Sequence, residues 1–300
     1  MKILACVVTY NRAALLERCV DAILAQTRPP DRLLVINNGS TDDTVAMLRR
    51  KGVDCLTQAN LGSAGGWARS IAEAQAGDYD AVWLMDDDGF PAPGALAILE
   101  RELTGERVCV SSVVLREDDP NRFVFPFPLL NHNGWPAIFA SPRKVPTLSG
   151  LRRLAPSGLY PFAHLFNGAL VSVAATRRIG NVNQEYFLFG DEVDYFARMR
   201  SLGPVLSHLD AHHHHPDVGQ RPLNATKVYY YVKNTMILNT RYHDLRPVRQ
   251  LAAVAAALGR VAARNGPGEA LSYVAGGRAP LLWKAVSRGL KGRIGPDIDG

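Results

Sequence analysis

Three consecutive aspartates, Asp86, Asp87 and Asp88, stand directly behind the apolar run Ala81-Val82-Trp83-Leu84-Met85 and ahead of Gly89-Phe90-Pro91-Ala92-Pro93-Gly94. Neighbouring carboxylates repel one another, so folding alone gives little reason for the triplet. A divalent cation shared with a phosphorylated ligand gives one, because hard oxygen donors suit Mg²⁺ or Mn²⁺ and such ions share their shell with phosphates. An exposed acidic turn is the competing reading, and the triplet by itself does not choose. Other polar groups could join it. Thr9-Tyr10-Asn11-Arg12 and Asn37-Asn38-Gly39-Ser40 each follow a short apolar run. Asn60-Leu61-Gly62-Ser63-Ala64-Gly65-Gly66-Trp67 reads as a glycine-rich loop entering a helix. Small residues there admit close backbone approach to a ligand, and a helix N-terminus favours negative charge; a tight turn is the alternative. Asp191 and Glu192 follow Gly190 at the start of a helical pattern, where helix-start acidity is also ordinary.

These residues need elements to hold them. Residues 3–9 read as a strand, 13–26 as a helix with Leu15, Leu16, Cys19, Val20, Ile23 and Leu24 at helical spacing, and 33–36 as a strand. A helix to about Lys51, a strand at 53–57, a helix at 63–76, a strand at 80–85, a helix at 94–104 and a strand at 108–114 continue the alternation. Strands that alternate with helices and are apolar throughout predict an α/β fold with a mainly parallel sheet covered on both faces. Ligands of such sheets bind beyond the carboxyl ends of the strands, where Thr9, Asn38 and the aspartates all fall.

Residues 115–160 are rich in Pro, Asn and Arg with interspersed aromatics, and read as an irregular insertion that shapes the substrate site. Order resumes over 163–173, followed by a helix over 191–202, the run His212-His213-His214-His215, and helices at about 224–241, 246–264 and 268–290. The division that results is 1–115 as a ligand-binding half, 116–222 as a second half carrying Asp191, Glu192 and the histidines, and 223–300 as a C-terminal helical region.

At 300 residues, 47% hydrophobic and 21% charged, the composition is that of a soluble globular protein. No signal peptide or membrane-spanning run is evident, and Cys6, Cys19, Cys55 and Cys109 lack metal-type spacing, which predicts buried thiols and a cytoplasmic location. The net charge of +6 resides wholly in residues 241–300, with ten basic and four acidic residues. That distribution excludes a generally basic nucleic-acid binder. It suits a basic amphipathic region, 246–300, resting on the anionic inner face of a membrane, with a dimer contact or plain packing as alternatives.

Val7-Val8-Thr9-Tyr10-Asn11-Arg12, Gln26-Thr27, Asn37-Asn38-Gly39-Ser40-Thr41-Asp42, Asn60-Leu61-Gly62 and the aspartates, in that order, resemble family 2 glycosyltransferases of the GT-A fold. Phe187-Leu188-Phe189-Gly190-Asp191-Glu192-Val193-Asp194-Tyr195, the histidines, Tyr229-Tyr230-Tyr231-Val232-Lys233-Asn234 and Arg288-Gly289-Leu290-Lys291-Gly292-Arg293 resemble the galactofuranosyl- and rhamnosyltransferase branch. The resemblance implies an inverting, metal-dependent transfer from a UDP- or dTDP-sugar to a glycan or glycolipid acceptor. A hexosyltransferase using UDP-glucose or UDP-GlcNAc and an inactive nucleotide-sugar-binding protein are the rivals. It implies donor contacts at Thr9, Tyr10, Arg12, Asn38, Asn60, Gly62, Gly65, Gly66 and Trp67. Asp86 would lie by the ribose, Asp88 on Mn²⁺ or Mg²⁺ with Asp86, and Asp87 would assist either. Asn38 departs from the family's usual aspartate; its amide can still accept the imide N–H of uracil or thymine. Glu192 is the favoured general base, with Asp191 second. His214, matched to the proline after the run, would be a further metal ligand, and strand alternation adds His212 on the same side. The Tyr229–Asn234 segment would pack the third region onto the catalytic one, and Asp194 would face solvent or pair with Arg198.

Overall fold

The computed structural model describes residues 1–217 and 222–297. Residues 218–221 and 298–300, within the 116–222 and 246–300 segments read above, lie outside the described residues. The chain runs β1 (Ile3–Thr9), α1 (Ala13–Leu24), β2 (Arg32–Asn37), α2 (Thr44–Lys51), β3 (Asp54–Thr57), α3 (Gly62–Ala76), β4 (Ala81–Asp86), β5 (Phe90–Pro91), α4 (Ala95–Glu102) and β6 (Cys109–Arg116). It continues through β7 (Arg122–Pro128), β8 (Lys144–Thr147), α5 (Leu148–Leu154), β9 (Leu159–Tyr160), β10 (Asn167–Ser172), α6 (Val173–Ile179), α7 (Asp191–Arg200) and β11 (Val205–His215). Four helices close it: α8 (Ala225–Tyr242), α9 (Arg246–Asn265), α10 (Pro267–Ala275) and α11 (Ala279–Leu290).

Two compact units result, one of Met1–Val182 with Tyr195–Asp217 and one of Asn183–Asp194 with Val218–Gly300. In the first, strands lie in the order β3-β2-β1-β4-β10-β6-β11-β5. Alternate residues of β1 enter different cores: Ile3, Ala5 and Val7 pack with α1, α2 and α4, whereas Leu4, Cys6 and Val8 pack with α3. Burial on both faces is why the strand is apolar throughout.

The block β3-β2-β1-β4 is parallel, as its composition suggests. Beyond it β10 runs antiparallel between β4 and β6, so the sheet is mixed and joins strands from both sides of residue 115. A strand buried on both faces carries no sequence mark of its direction, and the insertion of β10 is therefore invisible in composition.

The segment 115–160 is more regular than its Pro and Asn content suggests. β7 pairs with β6 and β8, and Phe123, Phe127, Val145, Leu151 and Tyr160 join Val113, Leu115 and Leu209 in one core. Thr147 caps α5 by accepting a hydrogen bond from Gly150 N.

In the second unit, α8 packs on α9 and α11 around Val228, Tyr229, Val232, Ala257 and Leu282. The helix anticipated over 268–290 is broken into α10 and α11 at Gly276-Gly277, with Pro280 inside the first turn of α11. Gly289 lets α11 approach α8: a Cβ there would lie 2.8 Å from Met236 Cβ and 2.9 Å from the Lys233 carbonyl.

Candidate active site

Because β1 and β4 are parallel neighbours, with Val8 opposite Asp86, they end together. Thr9 through Arg12 thus reach the aspartates that follow β4. Asp87 is the buried centre: Thr9 Oγ1 donates to its Oδ2 at 2.7 Å, Tyr10 N to the same oxygen at 3.4 Å, and Arg12 Nη1 to its Oδ1 at 2.9 Å. The same Arg12 nitrogen donates to Asp88 Oδ2 at 2.9 Å. Asp87, which the sequence leaves without a settled role, is therefore the carboxylate that ties the β1 rim to the triplet. Thr9 and Arg12, read as donor contacts, are both turned onto it.

The opposite face of Asp88 meets histidine. His215 Nε2 lies 2.8 Å from Asp88 Oδ1, and His215 Nδ1 lies 2.7 Å from the Pro216 carbonyl. The imidazole beside the acidic cluster is thus His215, not His214 or His212. Along β11 the odd residues Val205, Ser207, Leu209, Ala211, His213 and His215 are buried. His214 is turned to Phe90, and His212 Nε2 lies against the Leu209 carbonyl. The signal was present in the sequence: Val205, Leu209 and Ala211 extend by alternation to His213 and His215. His213 is fully buried and its imidazole is pushed down to about 3 by burial, reinforced by His215 and His214, so it is neutral. Gly89 makes room for it, since a Cβ at 89 would sit 2.3 Å from His213 Nε2.

Asp86, Asp87 and Asp88 each offer a carboxylate oxygen, all within 4.8 Å of one another. Burial, then repulsion from Asp87 and Asp88, pushes the Asp86 carboxyl up to about 7. Asp87 is raised too, chiefly by burial, against the opposing bonds from Thr9 and Arg12. Burial opposes charge on His215, yet the hydrogen bond and charge of Asp88 hold it above its usual value. A cluster this short of positive charge, with hard oxygens and one imidazole whose second nitrogen is fixed by a carbonyl, fits Mn²⁺ or Mg²⁺.

The glycine-rich segment is needed for packing in this fold. Gly62 opens α3, and Gly65 and Gly66 lie buried within its first turns. A Cβ on Gly65 would lie 2.3 Å from Leu61 Cβ, and one on Gly66 would lie 2.4 Å from Val8 Cγ1. These glycines let the helix sit against itself and against β1. Trp67, placed by resemblance among the donor contacts, is core: it is 2% exposed and stacks on Phe166 with centroids 4.4 Å apart. Asn60 Oδ1 accepts from Gly62 N at 3.0 Å, which starts the helix. Asn38 is buried; its Nδ2 donates to the Gly62 carbonyl at 3.1 Å and its Oδ1 accepts from Gln58 at 2.8 Å. Tyr10 remains exposed at the rim.

Within the second unit, Asp191 is buried and its carboxyl is pushed up to about 6 by burial. Glu192 beside it is partly exposed. Asp194 does not face solvent: it is buried and accepts from Tyr242 Oη at 2.6 Å.

The α/β fold of this chain is shared with solved structures. A mannosyltransferase from Pyrobaculum calidifontis, in complex with GDP-Man and Mn²⁺, superposes with a TM-score of 0.55 at 18% identity over 96% of this chain and 80% of that one. S. aureus TarS 1-349 gives 0.59 at 12% identity over 97% and 81%. The fold is that of a GT-A glycosyltransferase. Residues 5–149 match the glycosyl transferase family 2 profile. Galactofuranosyltransferase GlfT1 of Mycolicibacterium smegmatis is 34% identical over 218 residues, covering 71% of this chain and 70% of its own. GlfT1 of Mycobacterium tuberculosis is 36% identical over 226 residues, covering 71% and 70%. The N-acetylglucosaminyl-diphospho-decaprenol L-rhamnosyltransferase of that organism is 29% identical over 262 residues, covering 79% and 83%. The chain belongs to glycosyl transferase family 2 and is a glycosyltransferase.

Proposed function

We propose that this glycosyltransferase moves galactofuranose or rhamnose, with inversion, from a UDP- or dTDP-sugar to a glycan or lipid-linked acceptor, and that it requires Mn²⁺ or Mg²⁺. One observation carries the reading: Asp88, set in a cluster of three carboxylates at the end of β4, is met by both Arg12 and His215. In this reading Asp88 and His215 hold the ion, Asp86 assists and contacts the ribose, and Asp87 braces the set. An ion held there would supply positive charge toward the donor's diphosphate. Arg12, spanning Asp87 and Asp88, can turn its cationic group to the same phosphates. Asn38 keeps a second lone pair on Oδ1 for a pyrimidine imide N–H. Asp191 or Glu192 takes the acceptor hydroxyl's proton onto a carboxylate oxygen, and the raised basicity of Asp191 suits that task near neutral pH. The galactofuranosyl- and rhamnosyltransferase relatives support the two favoured sugars.

No helix among the described residues is long and apolar enough to cross a membrane. Peripheral contact with an anionic membrane is the reading for the C-terminal helices. Leu271 and Val274 on α10 and Trp283 and Leu290 on α11 are exposed, in a region that carries the whole excess of positive charge.

A thermal-shift panel of UDP- and dTDP-sugars, with and without Mn²⁺, tests the donor reading. Stabilisation by UDP-galactofuranose or dTDP-rhamnose that depends on Mn²⁺ supports it. A response confined to UDP-glucose or UDP-GlcNAc replaces the sugar, and stabilisation indifferent to Mn²⁺ removes the metal.

A further inference from the structure

We infer that Asn234 on α8, with Lys233 beside it, is the positioning residue for the segment that presents Asp191 and Glu192; the inference rests on the reading of those carboxylates as the acceptor's base. The segment enters α7 through two successive residues in left-handed backbone, Phe189 at φ +59° and Gly190 at φ +104°. For an aromatic residue that conformation is costly and persists only where surroundings impose it.

Asn234 imposes it. Its Nδ2 donates to the Leu188 carbonyl at 2.8 Å and to the Phe189 carbonyl at 2.8 Å, using both amide hydrogens on consecutive peptides. At 1% exposure the side chain leaves no room for water to take over those bonds. Gly190 is fixed in the same place, since a Cβ there would lie 2.9 Å from Tyr186 Cδ1 and 3.2 Å from Asn234 Cβ. The Gly190 carbonyl then accepts from Asp194 N at 2.8 Å in the first turn of α7. Roughly two turns along α8, Tyr242 Oη holds the Asp194 side chain at 2.6 Å. One helix therefore grips both sides of the Asp191-Glu192 pair.

Lys233 braces the other end of the segment. Its Nζ donates to the Gly295 carbonyl at 2.6 Å, and Gly295 N donates to the Glu185 carbonyl at 3.0 Å. The Tyr229–Asn234 motif thus sets the backbone from which the two carboxylates project.

The test uses the full chain with Asn234→Ala, Asn234→Asp and Asn234→Ser. Aspartate keeps the shape and loses the donors, whereas serine keeps one donor. Asn239→Ala serves as a control, because Asn239 is also on α8 and donates to the Arg249 carbonyl, outside the segment. Sugar transfer is measured with the donor found in the panel, together with UDP affinity in Mn²⁺ and thermal melting. Displacing a reacting group by about 1 Å costs about 100-fold, so kcat falls about 10- to 100-fold in the alanine and aspartate variants and less in the serine one. UDP affinity stays within about twofold of the parent. The control loses melting temperature without that fall in kcat. Variants that melt as one transition and keep kcat within about twofold overturn the inference, as does a loss of UDP affinity that matches the loss of kcat. Asp191→Asn and Glu192→Gln run in parallel separate the two levels. If neither lowers transfer, the base reading falls and this inference with it. If either does while Asn234→Ala does not, only the positioning role is lost.

Discussion

At the end of β4, Asp87 and Asp88 are held by charge, with Arg12 spanning both and His215 closing on Asp88. At the start of α7, the turn before the acidic pair is held by an amide, Asn234 on two carbonyls, and Asp194 meets the Tyr242 hydroxyl at 2.6 Å with Arg241 farther off at 3.8 Å. The difference follows from what each region has to overcome. Three adjacent carboxylates face mutual repulsion, which the Arg12 cation and the Thr9 hydroxyl relieve here. The 187–190 turn faces backbone strain, which directed hydrogen bonds relieve. A site held by charge is open to exchange of one cation for another, whereas a turn held by amides is set once the chain has folded.

The largest expected effect is at the first region. Asp88→Ala removes the group on which Arg12 and His215 converge, and Mn²⁺-dependent hydrolysis of the donor should fall about 10²- to 10³-fold. Activity equal to the parent would sink the metal reading. His215→Ala should weaken the response to Mn²⁺ about 10- to 100-fold. His214→Ala should leave a Mn²⁺ titration nearly unchanged, and the reverse order would restore the assignment made from the proline.

At the second region the comparison is sharpened by pH. Asp191 has a carboxyl raised to about 6, so its protonated form dominates below that value. If Asp191 is the base, kcat/KM rises with pH through about 6, and Asp191→Asn removes that limb with a loss of about 10²-fold. If Glu192→Gln does so instead, Glu192 is the base. Stability runs the other way. A raised carboxyl favours the fold while protonated, and that contribution is lost as pH climbs from the unfolded value near 4 through the folded one near 6. Asp191→Asn should therefore be more stable than the parent at pH 8, by on the order of 2 kcal/mol in denaturant unfolding, and show little gain at pH 4.

The smallest effect concerns the surface of the second unit. Trp283→Ala combined with Leu290→Ser removes two exposed apolar side chains of α11 without touching its buried face. Flotation with vesicles rich in anionic lipid should drop several-fold, while donor hydrolysis is kept. Unaltered flotation would reject membrane contact through this helix.

Much of the first region was legible because local residues build it. The apolar runs of β1, β2 and β4 announce a buried parallel block, and such a block brings Thr9, Arg12 and the aspartates to one rim wherever else the chain goes. The antiparallel β10 was hidden, since burial on both faces erases the mark of direction. The packing of Gly66 and Trp67 was hidden, because a glycine needed for helix–sheet contact and one needed for phosphate contact look alike in sequence. The histidines misled for a related reason: counting back from Pro216 points to an even residue, while the pattern of Val205, Leu209 and Ala211 points to the odd ones.

By itself, then, the sequence determined the α/β layering, the carboxylates at the β4 end and their kinship with family 2 glycosyltransferases, because these rest on periodicity and on residues adjacent in the chain. Only the tertiary structure decided that Asp87 is the brace, that His215 is the imidazole on Asp88 and that Asn234 holds the 187–190 turn. Each of those depends on bonds between residues 45 to 127 positions apart, and no local pattern records which distant side chain will arrive.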